Sequence, residues 1–198
     1  VIAVGILGKP NKPEYKIPLS LNERTLFDVT SKEIKNSKVL VVGGGDSASE
    51  YCQFLSQLDN DVTISYRKPQ FNRMNTINLE SINTLSAQNK IKLKLNSNIT
   101  SIEDDNGKPK VIFLENESET FDFVVYALGG STPENFLRLI GIEFDGPDPI
   151  LKEGYETTIP GLFLTGDLSA GKKGGSIIWA FNSANAAMKK ILQLYIHL

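Results

Sequence analysis

Short apolar runs recur along the chain, separated by polar, glycine- or proline-bearing breaks, and two segments between them carry helical spacing. Val39 to Val42 is a valine-rich strand that runs straight into Gly43-Gly44-Gly45. A helix follows from about Ser47 to Leu58, with Ala48, Cys52, Leu55 and, at its margins, Phe54 and Leu58 on an apolar face. Asp61 to Tyr66 alternates with strand period and predicts a second parallel strand, reached by a right-handed crossover. Asn75 to Asn89 predicts a helix carrying Ile77, Ile82 and Leu85, and Ile91 to Leu95 a short strand. Ile99–Glu103, Val111–Glu115 and Thr120–Leu128 then read as closely spaced strands without helices between them. Asp105-Asn106-Gly107 and Asn116–Glu119 are the turns. That arrangement predicts an antiparallel β-meander inserted in an α/β unit with a Rossmann-like parallel sheet.

The flanks read differently. Residues 1–8 look like a strand end, and Pro10, Pro13 and Pro18 favour an extended linker up to Leu21. Asn22 to Asn36 is polar and irregular, with Phe27 and Val29 as anchors. Asn135–Ile140 predicts a short helix, and Ile159–Asp167 a last buried strand capped by Gly166-Asp167. After the loop Gly171–Gly175, a helix from Ser176 presents Ile177, Ile178, Phe181, Ala184, Met188, Ile191, Leu192 and Tyr195 as one apolar face. The chain starts at Val1 on a strand that needs neighbours, so the expectation is a piece of a longer protein.

Composition narrows the class. The 198 residues carry Lys+Arg 21 against Asp+Glu 23, a net charge of −2, which gives no electrostatic footprint for nucleic acid. No apolar span is long enough to cross a bilayer. Cys52 is the only cysteine, so internal disulfides are impossible, which fits a reducing cytoplasm. On an apolar helix face, Cys52 reads as a small core residue.

The strand, glycine turn and helix at Val39–Glu50 form a G-x-G-x-x-A pattern in the context needed to hold a diphosphate. Gly43 permits the tight turn, Gly44 continues it, and Gly45 lets the backbone approach phosphate. Ala48 lets the helix lie close to the strand. Asp46 and Ser47 open that helix, whose first N–H groups and positive dipole end face the ligand. Glu50 reads as an exposed first-turn glutamate. At the end of the next strand an NAD site places a carboxylate, roughly 20 residues past the glycines, for the ribose 2′-hydroxyl. Here Arg67 and Lys68 stand instead, with Arg73 close behind. Guanidinium groups grip a 2′-phosphate and carboxylates repel it, so the expectation is NADP(H) against the plainer reading of a solvated basic loop. Gly166-Asp167, with the helix start at Ser176 and Ile177, is a second nucleotide-like element. Trp179 and Phe181 read as core, and His197 carries no role.

Through Ala3-Val4-Gly5, Val39–Glu50, Tyr66-Arg67-Lys68, Val125–Pro133 and Ile159–Asp167, nearly the whole chain resembles the thioredoxin-reductase-like flavoproteins. That resemblance implies an NADP(H)-binding domain at 24–128, with 1–23 and 129–198 as returning segments of an FAD-binding Rossmann-like domain whose amino-terminal half is absent. It implies 2′-phosphate contacts at Arg67, Lys68 and Arg73, and cofactor contacts at Gly129, Gly166, Asp167, Ser176 and Ile177. The stretch Phe27–Glu33, where thioredoxin reductases proper carry a C-x-x-C, has no cysteine, so an electron relay through a dithiol there has no thiols. The chain looks closer to the ferredoxin- or flavodoxin-NADP reductases of this fold. The implied activity is hydride transfer from NADPH to FAD and onward to a ferredoxin, a flavodoxin or a quinone, in a homodimer. No side chain is expected to act as acid, base or nucleophile. Two alternatives stay open: a flavin-dependent reductase of low-molecular-weight disulfides, and a non-catalytic NADPH-binding module.

Overall fold

A computed structural model describes residues 1–5, 10–114, 117–130, 134–171 and 175–196. Parts of several expectations lie outside the described residues: the strand end at 6–8, Glu115 and Asn116 in the meander, Pro133, the loop at 172–174, and His197. The chain divides into two compact units, Pro10–Gly129 and the pair of segments Val1–Lys9 and Gly130–Leu198.

In the first unit β1 (Thr25–Leu26), β2 (Lys38–Val42), β3 (Asp61–Ser65) and β4 (Ile91–Lys94) join β8 (Phe123–Tyr126) in one sheet. Its order is β1-β8-β2-β3-β4, and every neighbouring pair is parallel. Helix α1 (Asp46–Ser56) links β2 to β3, and α2 (Thr76–Ala87) links β3 to β4. Strands β5 (Ile99–Asp105), β6 (Lys108–Phe113) and β7 (Ser118–Thr120) form the antiparallel meander.

Alternation along β2 and β8 explains the layering. Val39, Val41, Phe123 and Val125 face one way and pack with Ala48, Cys52 and Leu55 of α1 and Ile82 of α2. Leu40, Val124 and Tyr126 face the other way and pack with Ile102, Val111 and Phe113 of the meander. The central strands are therefore apolar on both faces, as strands covered on both sides must be. Buried Cys52 sits within the helix-side cluster, and desolvation pushes its thiol pKa well up.

Polar groups hold the start of the strands. Asp122 Oδ2 accepts from Lys38 N (2.9 Å) while Asp122 N donates to Lys38 O (2.8 Å). Buried Asn60 accepts from Ser37 N (3.0 Å) and donates to Ile34 O and Leu55 O (both 2.9 Å).

Several sequence expectations need correction here. Thr120–Leu128 is not one strand: the chain leaves the meander after Thr120 and enters the parallel sheet at Phe123, turning where Asp122 bonds Lys38 and pairs with Lys108 Nζ (2.8 Å). The region 22–36 is not merely irregular, because Thr25–Leu26 pairs with Val124 and Val125. In the stretch before it, Leu21 is fully buried, and Tyr15 and Ile17 pack against the meander-side cluster. Ile77 and Phe54 are exposed, at 76% and 47%.

The second unit holds α3 (Glu134–Leu139), a small hairpin of β9 (Phe144–Asp145) and β10 (Asp148–Pro149), and α4 (Ile177–Leu194). Leu137, Ile142, Leu164 and Leu168 form its core. The strand expected over Ile159–Asp167 is reduced to isolated bridges, Ile2↔Leu164 and Glu156↔Phe163, among the described residues. A turn at Pro160-Gly161, closed by Leu162 N to Ile159 O (3.1 Å), interrupts it, and Gly166–Ser169 is a 3-10 turn. Helix α4 also differs from expectation. Its buried positions are Ser183 and Ala187, while Ile177, Ile178 and Phe181 are 78%, 73% and 74% exposed. The small-residue side allows close backbone approach to the Gly166–Ser169 turn, and the apolar side faces outward.

Candidate functional site

The glycine turn sits where β2 and β8 end side by side. Ala127 N donates to Val42 O (2.8 Å), and Gly43 N donates to Ser65 O (3.0 Å), so the turn is fixed to the strands on both sides. A Cβ at Gly43 would collide with the Ala127 carbonyl, and one at Gly44 would collide with the Tyr66 ring. Gly45 differs: a Cβ there would meet nothing within 4 Å. Gly45 is the N-cap of α1 in extended conformation, and no side chain caps the helix. An open flank at a helix N-terminus without a side-chain cap is what a diphosphate group requires. Ala48 is fully buried, with its N–H directed to Gly45 O (3.0 Å), and Ser47 is exposed.

The segment after β3 is built onto this turn. Tyr66 is 8% exposed, lies against Gly44, and stacks on Phe71 with ring centroids 5.5 Å apart and planes at 15°. Gly45 and Arg73 form a parallel backbone bridge. Asp46 Oδ1 accepts from Asn75 N (2.8 Å) and from Asn78 Nδ2 (2.9 Å). Asn75 caps α2 by accepting from Asn78 N (2.9 Å). Lys68 O accepts from Asn96 N (3.1 Å), and Tyr66 O from Ser97 N (3.1 Å).

Arg67, Lys68 and Arg73 are all exposed. Among the described residues, none of their side chains has an ion pair or hydrogen bond, whereas Lys38, Lys92, Lys94 and Lys108 are each paired with a carboxylate. Three cations are thus held on an ordered backbone next to the helix start. Sequence reading found them and missed their supports, Tyr66, Phe71, Asn75 and Asn78. Only Asn75 left a local sign, as a capping residue ahead of a helical segment.

Gly129 lies at the end of this unit with φ of 81°, and its carbonyl accepts from Asn11 N (2.9 Å). In the other unit the structure brings Gly166, Asp167, Ser176 and Ile177 together. Gly166 N donates to Ser183 Oγ (2.9 Å), and the Asp167 carboxylate rests against Gly175, where a Cβ would overlap it. Ser176 Oγ caps α4 at Trp179 N (3.1 Å), and the indole donates to Ser169 Oγ (3.1 Å). Trp179 is half-buried, whereas the core position read for Phe181 is on the open side of the helix. No group of three or more His, Cys, Asp or Glu side chains suited to a metal occurs among the described residues, and no helix there is long and apolar enough to cross a membrane.

A family model described as pyridine nucleotide-disulphide oxidoreductase matches residues 1–166. A ferredoxin–NADP reductase of Ignicoccus hospitalis is 28% identical over 185 residues, covering 87% of this chain and 57% of that protein. A thioredoxin reductase of Mycolicibacterium smegmatis is 32% identical over 143 residues, 68% of this chain and 44% of that protein. The chain therefore spans about half the length of these relatives. The crystal structure of Lactococcus lactis thioredoxin reductase superposes with a TM-score of 0.83 at 23% identity, covering 99% of this chain and 65% of that one, a likeness of fold.

Proposed function

The chain belongs to the pyridine nucleotide-disulphide oxidoreductase family, and on that premise we propose that the Pro10–Gly129 unit binds NADP(H) for a flavoprotein oxidoreductase. The diphosphate lies on Gly43–Ala48 at the α1 start, and the 2′-phosphate is met by Arg67, Lys68 and Arg73. One observation carries this reading: three exposed side-chain cations without a protein partner among the described residues, on a loop whose backbone pairs with Gly45. An unpaired cluster of like charge beside a helix N-terminus is repelled by itself and by the dipole, and an anion relieves both.

The second unit contributes to FAD in this reading, with Asp167 and the Ser176-capped α4 start directed at the cofactor and Gly166 held by Ser183. When bound, FAD would supply the chemistry that accepts a hydride from NADPH and passes its two electrons on one at a time, with the proton released to solvent. The protein's own part in this reading is to bind and orient the two nucleotides. Similarity to ferredoxin–NADP reductases favours a ferredoxin-type carrier as the onward partner, ahead of flavodoxin or quinone. A homodimer in the cytoplasm completes the proposal.

The test is calorimetry of the full chain with NADPH and NADH. Arg67→Ala should weaken NADPH by roughly 1.5–3 kcal/mol, one to two decades, and NADH very little. Equal losses for the two nucleotides would refute the 2′-phosphate assignment.

A further inference from the structure

Asp46 presents a puzzle on that reading. A carboxylate in the first turn of α1 is welcome to the helix dipole but repels a diphosphate placed at the same N-terminus. Its value to the site must lie in what it holds. One of its oxygens, Oδ1, takes two donors from α2 and the residue before it: the backbone N–H of Asn75 at 2.8 Å and the side-chain amide of Asn78 at 2.9 Å. Asn78 is 7% exposed, and its own carbonyl oxygen accepts from Gln53 Nε2 at 3.1 Å, so the amide is locked with its donor end toward Asp46. Asn75 stands two positions after Arg73, and the Arg73 backbone bridges Gly45, the residue before Asp46. The basic loop is thus anchored at its start by Tyr66 against Gly44 and at its end by Asp46.

We propose that Asp46 is a positioning residue for nucleotide selectivity: it ties the end of the Arg67–Asn75 loop to the glycine turn and so fixes where Arg73 meets the 2′-phosphate. The inference rests on the NADP(H) reading above and adds a residue and a mechanism to it. A contact residue would matter equally to NADPH and NADH, because they share the diphosphate. A tether on the basic loop matters only to the nucleotide that carries the 2′-phosphate. The bond needs an acceptor oxygen and no charge, so an asparagine at this position, with its Oδ1 toward the same two donors, keeps the tether.

The experiment measures dissociation constants of the full chain for NADPH, NADH and adenosine 2′,5′-bisphosphate by calorimetry, in wild type, Asp46→Ala, Asp46→Asn and Asn78→Ala. In Asp46→Ala the NADPH-over-NADH preference falls about tenfold, with NADH affinity unchanged or slightly higher as the repelling charge goes. Adenosine 2′,5′-bisphosphate weakens in step with NADPH. Asn78→Ala, which removes one of the two donors, lowers the preference about threefold. Asp46→Asn stays within about twofold of wild type. Equal weakening of NADPH and NADH, or a loss in Asp46→Asn as large as in Asp46→Ala, overturns the tether. An unchanged preference in Asp46→Ala, in a protein whose wild type favours NADPH, overturns it and leaves the NADP(H) reading standing. A wild type without preference overturns both. Should Asp46→Ala fail to fold, the Asp46→Asn and Asn78→Ala pair decides alone.

Discussion

Gly44→Ala is the substitution whose cost can be worked out most directly from the structure. The new methyl would collide with the Tyr66 ring, and Tyr66 stacks on Phe71 at 5.5 Å, so a shift of Tyr66 disturbs that stack too. Gly44 is not among the residues of positive φ, and alanine adopts its backbone without strain. The penalty is therefore one of packing alone. Overfilling a packed site costs about 1–3 kcal/mol, and about 2 is expected here. Tyr66→Ala removes the obstacle, at about 3 kcal/mol for truncating a buried aromatic ring. In that background the extra methyl no longer meets the ring, and alanine's stiffer unfolded chain returns about 0.4–1 kcal/mol. The double variant should then cost no more than Tyr66→Ala, a coupling of about 2 kcal/mol. Urea titration followed by circular dichroism measures all four corners of the cycle. Additivity within about 0.5 kcal/mol would refute the contact as the reason glycine is needed. Displacing Tyr66 also displaces the start of the basic loop, so Gly44→Ala should weaken NADPH more than NADH.

Two further outcomes are expected. Asp122 takes its lowered pKa chiefly from the hydrogen bond of Lys108, then from Lys38 N–H, so its contribution is present above the ordinary aspartate pKa and is lost as pH falls through the lowered folded-state value. Asp122→Asn should cost about 0.5–1 kcal/mol at pH 7, and the gap to wild type should close on acidification; a gap independent of pH would refute the pairing. Cys52, buried with its thiol held protonated, should react with a thiol reagent only in step with unfolding, and rapid labelling of the native chain would contradict its burial.

What the sequence made legible was whatever repeats at short range. Val39–Val42 and Asp61–Ser65 declared themselves by strand-like runs, the glycine turn by spacing, and the Arg67-Lys68-Arg73 cluster by charge. Strand β1 escaped because two residues have no period to detect; only Val124 and Val125 beside it make it a strand. The Thr120–Leu128 run hid a change of sheet, because Phe121 is as apolar as its neighbours and the break lies in a bond from Asp122 to Lys38 far upstream. Helix α4 misled for a related reason. Its larger side chains mark an apolar face, but the unit it packs on selects Ser183 and Ala187 for close approach. The partners of Asp46 lie on another helix and could not be read from residues near it.

The two-faced character of β2 and β8 has a consequence for alignment. In a sheet with one wet face, slipping a strand by one residue sends its apolar set into water, and the penalty enforces the pairing. Here both faces are oily, so a slip of one exchanges Val39 and Val41 with Leu40 and Val42 between two equally dry compartments. Hydrophobicity alone tells such a strand where to lie but not how far along. The alignment marks are the polar groups at the strand starts, Asp122 bonded to Lys38 and Asn60 bonded to Ser37, whose bonds form at a single offset. Errors in those few polar residues would blur the position of Gly43 against Tyr66 and Ala127, so that the chain could remain collapsed and helical while its nucleotide turn was out of frame.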